Sequence, residues 1–409
     1  MGLVLNHYKG VIAMDRSGNA LKDKTLLKKA ISIEGIVTFG IFVFFFGVIG
    51  VRMGLINSVN TLLNTAYDLL MSTVFYIMAI AVVAGAIAGI LTEFGVIALA
   101  NKGLSPLMKP IFGLPGASAI SVFTTYLSDN PAVLTLADDK RFRRYFKKYQ
   151  LPALTNLGTA FGMGLIVTVF MMGLPNPRGE NFILAAIIGN IGAVIGSIVS
   201  VRIMLSKTKK IYGITEEAED NGEIGYDILE YREIREGSLG ERFMNSMLEG
   251  GTSGVKVGFD IIPGVLIICS LVMILTNTIP DTGVYTGAAY EGIGLFPWIG
   301  EKISFVTKPL FGFTSPMGIS VPITALGAAG AAIGLVPTMV NQGLAGANDV
   351  AVFTAMCMCW SGYLSTHVAM MDGLKFRKLT GSAIFAHTIG GIAAGIAANW
   401  LFKLISIIV

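Results

Sequence analysis

The chain has 409 residues, 53% of them apolar, and only 56 charged side chains, 30 Lys/Arg against 26 Asp/Glu. A soluble domain carries about a quarter of its residues charged, yet here three tracts, 1–32, 138–150 and 202–249, hold 34 of the 56 charges and leave 22 for the other 316 residues. That distribution excludes a soluble globule and a disordered chain, and the recurring long apolar stretches predict an all-α polytopic membrane protein.

In chain order, residues 1–32 are polar and no short apolar stretch with a cleavage site precedes them, so they read as a tail and not as a signal peptide. The run 33–54 predicts a first span, the mixed segment 55–72 an interfacial helix, and 73–95 a second span. The apolar stretch 111–137 is interrupted by Ser128-Asp129-Asn130-Pro131 and is followed by six basic residues within 140–148. Beside a span, that tract reads as an anchor to anionic lipid and not as a nucleic-acid site. Spans are expected at 152–173 and 182–204, and the tract 205–248, with ten acidic residues between Glu216 and Glu241, reads as a solvated linker or short domain. The second half follows the same plan, with spans near 257–278, 348–371 and 381–408 and another interrupted stretch at 311–340. Cys269, Cys357 and Cys359 all lie in apolar segments and form no disulfide framework.

The halves also match residue by residue. Lys109-Pro-Ile-Phe-Gly113 corresponds to Lys308-Pro-Leu-Phe-Gly312, and at the same offset of 199 Ile120-Ser121-Val122 corresponds to Ile319-Ser320-Val321. With Thr125/Thr324, Leu127/Leu326 and Leu136/Leu335, ten of 28 ungapped positions are identical. If the N-terminus is cytoplasmic and both interrupted stretches turn back as hairpins, 25 of the 30 Lys/Arg fall on the inner side, leaving Arg52, Arg178, Lys302, Lys308 and Lys403 outside. The first half then has an inner hairpin and the second an outer one. The two halves are inverted repeats, an architecture that places a binding site at the repeat interface near mid-membrane.

A carboxylate inside an apolar stretch faces a cavity or a partner. At the first hairpin tip, Ser128, Asp129 and Asn130 therefore read as substrate or coupling-ion contacts, and they equally suit a turn that caps the second arm. Asn156 and Thr159 on the following span, Ser320 and Thr324 in the second hairpin, and Asn348, Asp349 and Ser361 on the span after it are neutral or acidic groups suited to a polar ligand or Na⁺. His367 is a candidate proton carrier. The tip of the second hairpin, around Gly327–Gly330, offers only backbone and small side chains. No P-loop, HExxH, GxSxG or nucleotide fingerprint occurs, so neither an ATP-driven pump nor an enzyme is expected from this chain, and no cofactor or metal.

The paired KPxFG blocks, the charged central loop and Phe259-Asp-Ile-Ile-Pro-Gly264 resemble the nucleoside-recognition, or Gate-domain, membrane proteins, which are similar in fold to concentrative nucleoside transporters. The resemblance covers roughly 60–405. Together with the reading along the chain, the expected organisation is a cytoplasmic tail and first span at 1–56, a first Gate-like repeat at 57–204 with an inner hairpin at 109–137, a charged cytoplasmic linker at 205–244, and a second, inverted repeat at 245–409 with an outer hairpin at 308–340. By position it adds Thr125 to the ligand contacts and supports Ser128, Asp129, Asn130, Asn156, Thr159, Ser320, Thr324, Asn348, Ser361 and Asp349. The function it implies is secondary, alternating-access transport of a small polar metabolite, with a nucleoside or nucleobase as first guess and Na⁺ or H⁺ as coupling ion. The expected setting is the bacterial inner membrane, multi-pass and as a homo-oligomer. The alternatives are transport of a different small organic solute, or a non-transporting assembly or sporulation protein that keeps the fold.

Overall fold

The structure, a computed structural model, describes residues 30–130, 132–219 and 225–408. Among them the only β-structure is an isolated bridge between Lys147 and Glu217. Two compact units are defined, the first ending at Leu55 and the second running from Ile56. The first is represented by α1 (Ile33–Met53), 21 residues that are apolar between Glu34 and Arg52 apart from Thr38, enough to cross a hydrocarbon core of about 30 Å.

The second unit begins with a long helix. α2 (Leu55–Asp68) runs through a π-turn at Leu69–Val74 into α3 (Phe75–Glu93), giving 39 continuous residues. Residues 55–72 thus do not form the separate interfacial helix that their mixed composition predicts. Their polar side chains are used within the fold: Asn57 and Asn64 donate to the carbonyls of Tyr285 and Gly287, and Thr65 accepts from the Tyr290 amide. The amphipathic α4 (Val96–Phe112) leads to a hairpin of α5 (Ser118–Leu127) and α6 (Ala132–Asp138), with Ser128–Asn130 at its tip; Pro131 lies outside the described residues. A single-turn α7 (Lys140–Arg143) precedes α8 (Leu151–Thr159) and α9 (Gly164–Met172), which are separated by a break where Met163 is left-handed at φ 54°. α10 (Phe182–Tyr212) completes the first half.

The second half repeats this order. Ser238 and Glu241 form a capping box that starts α11 (Leu239–Pro263), and a π-turn at Gly264–Cys269 joins it to α12 (Ser270–Thr276). Since α10 reaches Tyr212 and α11 starts at Leu239, both ends of the expected 205–244 linker are helical, and the described residues between them, 213–219 and 225–238, are not. α13 (Leu295–Phe311) has 17 residues like α4, and both its ends are shifted by 199 from those of α4. Each of the two ends on a left-handed glycine, Gly113 or Gly312, the conformation that lets the next amide satisfy the last carbonyls. The second hairpin follows as a 3-10 turn at Pro316–Ile319, α14 (Ser320–Ala325) and α15 (Ala329–Asn341). α16 (Ala347–Cys359) and α17 (Tyr363–Gly373) are separated by a break at Trp360–Gly362, and α18 (Thr380–Ile408) closes the bundle.

Hydrogen bonds show that the hairpins enter from opposite ends. Gln150 Nε2 donates to Gly113 O, and Arg202 Nε to Ile111 O, so the first hairpin starts and finishes at the end holding the 213–238 loop. Asn348 Nδ2 donates to Phe311 O and Gly312 O, and Arg178 to Gly343 O, so the second starts and finishes at the other end, beside the α9–α10 connection. The fold is an all-α polytopic membrane protein with two inverted, re-entrant repeats. Its interior is formed by α8 and α16: every residue of α8 is buried, as is every residue of α16 except Asn348. α3 and α11 pack with their backbones in contact. A Cβ on Gly85 would lie 2.3 Å from Gly250 O, and one on Gly254 would lie 2.2 Å from Ala81 O. Small residues permit this approach, which in lipid replaces the hydrophobic driving force with dispersion.

Candidate functional site

Both hairpin tips and both helix breaks converge on one side chain and one cavity. Asn130, 2% exposed, donates through Nδ2 to Ser361 O in the second break. Its Oδ1 stands where a Cβ of Gly162 would be, 1.5 Å away, so the same side chain also seats the tip on the first break. The second hairpin tip is tied in by Gly362 N–H, which donates to Ala325 O at 2.9 Å. Next to these contacts lies a cavity of about 530 Å³, bounded by Ser128–Asn130, Met163, Gly327–Gly330, Ser361–Gly362, Ser365 and Thr366, and closed by Ser253, Lys256 and Asp260 of α11. Broken helices supply backbone amides and carbonyls there, which is the setting in which irregular backbone is tolerated at membrane depth.

Among the described residues the charges in this cavity have no ion-pair partner. Asp129 accepts only the amide of Asn130, at 2.7 Å. Among the described residues neither Asp129 nor Asp260 nor Lys256 takes part in an ion pair. A neighbouring cavity of about 550 Å³ meets this one at Ser128, Ser253 and Val257 and extends between α3, α4 and α11. Its charges are different in kind. Arg235 bridges Glu93 and Glu249, Arg232 donates to Glu93 O, and Asp139 holds Arg141. In the larger cavity Arg235, Glu249 and Asp139 are thus ion-paired and Arg232 is held by a carbonyl, whereas in the smaller one two carboxylates and one ammonium have no ion-pair partner among the described residues.

Four of the sequence-predicted residues, Ser128, Asp129, Asn130 and Ser361, line this cavity. The others are engaged elsewhere. Thr125, Thr159 and Thr324 donate to the carbonyls of Ser121, Thr155 and Ser320, one turn back on their own helices. Asn156 donates to Ser200 Oγ and Ala383 O, both at 2.9 Å. Ser320 accepts from Thr276 Oγ1 at 3.1 Å. Asn348 caps the C-terminus of α13 as described above. Asp349 accepts the amides of Thr314 and Gly346, at 2.9 and 3.0 Å, and the Thr314 hydroxyl. His367 is fully buried against the rings of Tyr363 and His387, with centroids at 5.6 and 4.7 Å. Lys256 and Asp260 are not among the residues the sequence pointed to as contacts. Both lie near the middle of the 38-residue Leu239–Thr276 helix, and the signal was a lysine and an aspartate one turn apart inside it.

The basic tract at 140–148 is also placed differently from expectation. The 213–238 loop folds over it: Arg143 pairs with Glu219 at 3.3 Å, Arg144 with Asp227 at 3.1 Å, Lys148 with Glu216 at 2.6 Å, Lys147 with Glu217, and Arg141 with Glu233 at 3.3 Å. The Arg141 guanidinium holds the Asp139 carboxyl below its ordinary range, and the Tyr145 hydroxyl does the same for Asp227. The chain itself pairs five of the six basic residues of this tract, all but Lys140, which leaves little of it as the expected lipid anchor.

The fold has counterparts among solved structures. A CNTnw variant in its intermediate 2 state is 12% identical, with a TM-score of 0.51 over 91% of this chain and 86% of that one. CNTnw in an inward-facing substrate-bound state, 12% identical with a TM-score of 0.45 over 90% and 84%, and a variant in an outward-facing state, 12% identical at 0.45 over 91% and 85%, are also similar. CNTnw is a concentrative nucleoside transporter. No family model and no curated protein matches the sequence. At this identity the likeness concerns the fold, a helical membrane bundle.

Proposed function

We propose that the chain is a secondary transporter that carries a small polar solute by alternating access, and that the solute sits in the cavity at the hairpin tips. The observation that carries this reading is the set of Asp129, Lys256 and Asp260, with no ion-pair partner among the described residues, in a cavity of about 530 Å³ bounded by both tips and both helix breaks. Uncompensated charge at membrane depth is costly and persists where a ligand or ion supplies the missing partner. Lys256 and Asp260, one turn apart on α11, cancel in sum, which leaves Asp129 in excess. A monovalent cation, Na⁺ or H⁺, entering with a neutral solute balances it. Nucleosides and nucleobases head the list of solutes, since the structural counterparts carry that name. The adjoining cavity toward Arg232 and Arg235 provides the route to the end of the bundle that holds the 213–238 loop. A bacterial inner-membrane setting and a homo-oligomeric assembly complete the proposal.

Uptake into proteoliposomes under a Na⁺ or a proton gradient tests it, with a panel of labelled nucleosides, nucleobases and other polar metabolites. Wild-type protein is expected to accumulate at least one of them, and Asp129→Asn to lower the initial rate at least tenfold. If no solute moves under either gradient, the transporter reading fails and an assembly role takes its place. If Asp129→Asn transports normally, the site is elsewhere.

A further inference from the structure

We propose that a groove between the C-terminal end of α10 and the N-terminal end of α18 binds the headgroup of an anionic phospholipid. The groove holds about 460 Å³. On the α10 side it is lined by Ile203 and Lys207, four residues apart and so on one face of the helix. On the other side it is lined by Lys378, in the 3-10 turn that leads into α18, and by Ser382 and Phe385 of α18, three residues apart and so also on one face.

The two helices run in opposite directions, and this grades the groove. Lys207 lies closer to the end of α10 than Ile203, and Lys378 precedes Ser382 and Phe385 in α18. The two ammonium groups and the hydroxyl therefore stand at one end, and the apolar side chains continue from them toward the middle of the bundle. α10 has 31 residues, about 46 Å of helix against about 30 Å of hydrocarbon. Its C-terminal turns, with Lys207, stand at headgroup level, and Ile203 is one turn deeper. Phe385 is 63% exposed and offers a wall to an acyl chain. A soluble phosphate would use the charged end alone, whereas a phospholipid uses the whole groove.

The neighbouring charges sharpen the assignment. Arg141, Arg143, Arg144, Lys147 and Lys148 at the same end are each held by an acidic side chain. Lys207 and Lys378 have no such partner among the described residues. Most of the strongly basic tract is thus spent internally, and among the basic side chains at this end that keep no carboxylate partner Lys207 and Lys378 are the two that share a groove with an apolar wall. Basic pockets between transmembrane helices are a recurrent way of holding such headgroups.

The test is binding of fluorescent phosphatidylglycerol to the full chain in neutral detergent, with phosphatidylcholine and glycerol phosphate as competitors. Phosphatidylglycerol is expected to bind and to resist both. The double variant Lys207→Gln with Lys378→Gln should bind at least tenfold more weakly. The double arginine variant, which keeps both charges, and Lys147→Gln with Lys148→Gln, whose charges the loop already holds, should bind like wild type. Binding within twofold of wild type in the Lys207/Lys378 glutamine pair overturns the proposal. So does full displacement by glycerol phosphate, which would mean a soluble anion, or by phosphatidylcholine, which would mean a charge-independent surface.

Discussion

Asp129 and Asp349 are both carboxylates within apolar sequence, and their surroundings separate them. Asp349 has three donors around it, two amides and a hydroxyl, and closes the start of α16. Asp129 has one, the amide of the next residue. Asp349→Ala should cost roughly 3 kcal/mol of stability, because it leaves the amides of Thr314 and Gly346 unpaired in the interior. Asp129→Asn keeps an oxygen for the Asn130 amide and should stay within about 0.5 kcal/mol of wild type. Denaturant unfolding of the two purified variants compares them directly, and equal losses would make Asp129 a structural residue. The same contrast explains how far the site could be read in advance. Polar side chains in apolar stretches were visible as a set. A threonine on a helix can satisfy itself at the carbonyl one turn back, as Thr125, Thr159 and Thr324 do, and nothing in composition distinguishes that threonine from one facing a ligand. Lys256 and Asp260 escaped for the opposite reason: they sit where the charged linker meets a span, and their depth is set by α11 starting at Leu239.

At the scale of elements, the duplication was legible because α4 and α13 and the hairpin blocks after them keep one offset. The long helices were harder to delimit. Residues 55–72 contain asparagines and threonines that suit an interface, and only the return of the 285–291 segment onto them makes a continuous helix affordable. The contact of α3 with α11 depends on glycines whose role is invisible until the partner helix is known. Gly254→Val puts its Cβ in the place of the Ala81 carbonyl, 2.2 Å away, and should force the two helices apart. Overpacking of this kind costs about 3 kcal/mol or more when backbone blocks the new atom. Gly240 lies on the same helix with nothing within 4 Å of an added Cβ, so Gly240→Ala should be neutral or stabilise by up to about 1 kcal/mol. Thermal unfolding monitored by size-exclusion chromatography reads both. An unchanged midpoint for Gly254→Val would mean that α3 and α11 do not approach as closely as described.

For the whole molecule, the distribution of charge still decides orientation, even though its largest basic tract is largely neutralised by the loop. Net pairing does not erase the bias, because the end that holds 140–148 also holds Lys207, Lys209, Lys210, Lys375, Arg377 and Lys378, whereas the opposite end has few basic residues. Positive charge resists translocation, so the loop end is expected in the cytoplasm. The 213–238 loop and the 277–294 connection are separated by the single helix Leu239–Thr276 of 38 residues, about 57 Å long, and so must face opposite sides of a bilayer. Cys269, Cys357 and Cys359 are all buried and form a silent background for labelling. A cysteine introduced by Asp281→Cys should react with a membrane-impermeant maleimide in intact cells. One introduced by Glu230→Cys should react only after the membrane is opened. The reverse pattern would invert the orientation and place both hairpins on the other faces. Labelling of both cysteines from one side would mean that Leu239–Thr276 does not cross at all, and the inverted repeats would then have no membrane to be inverted across.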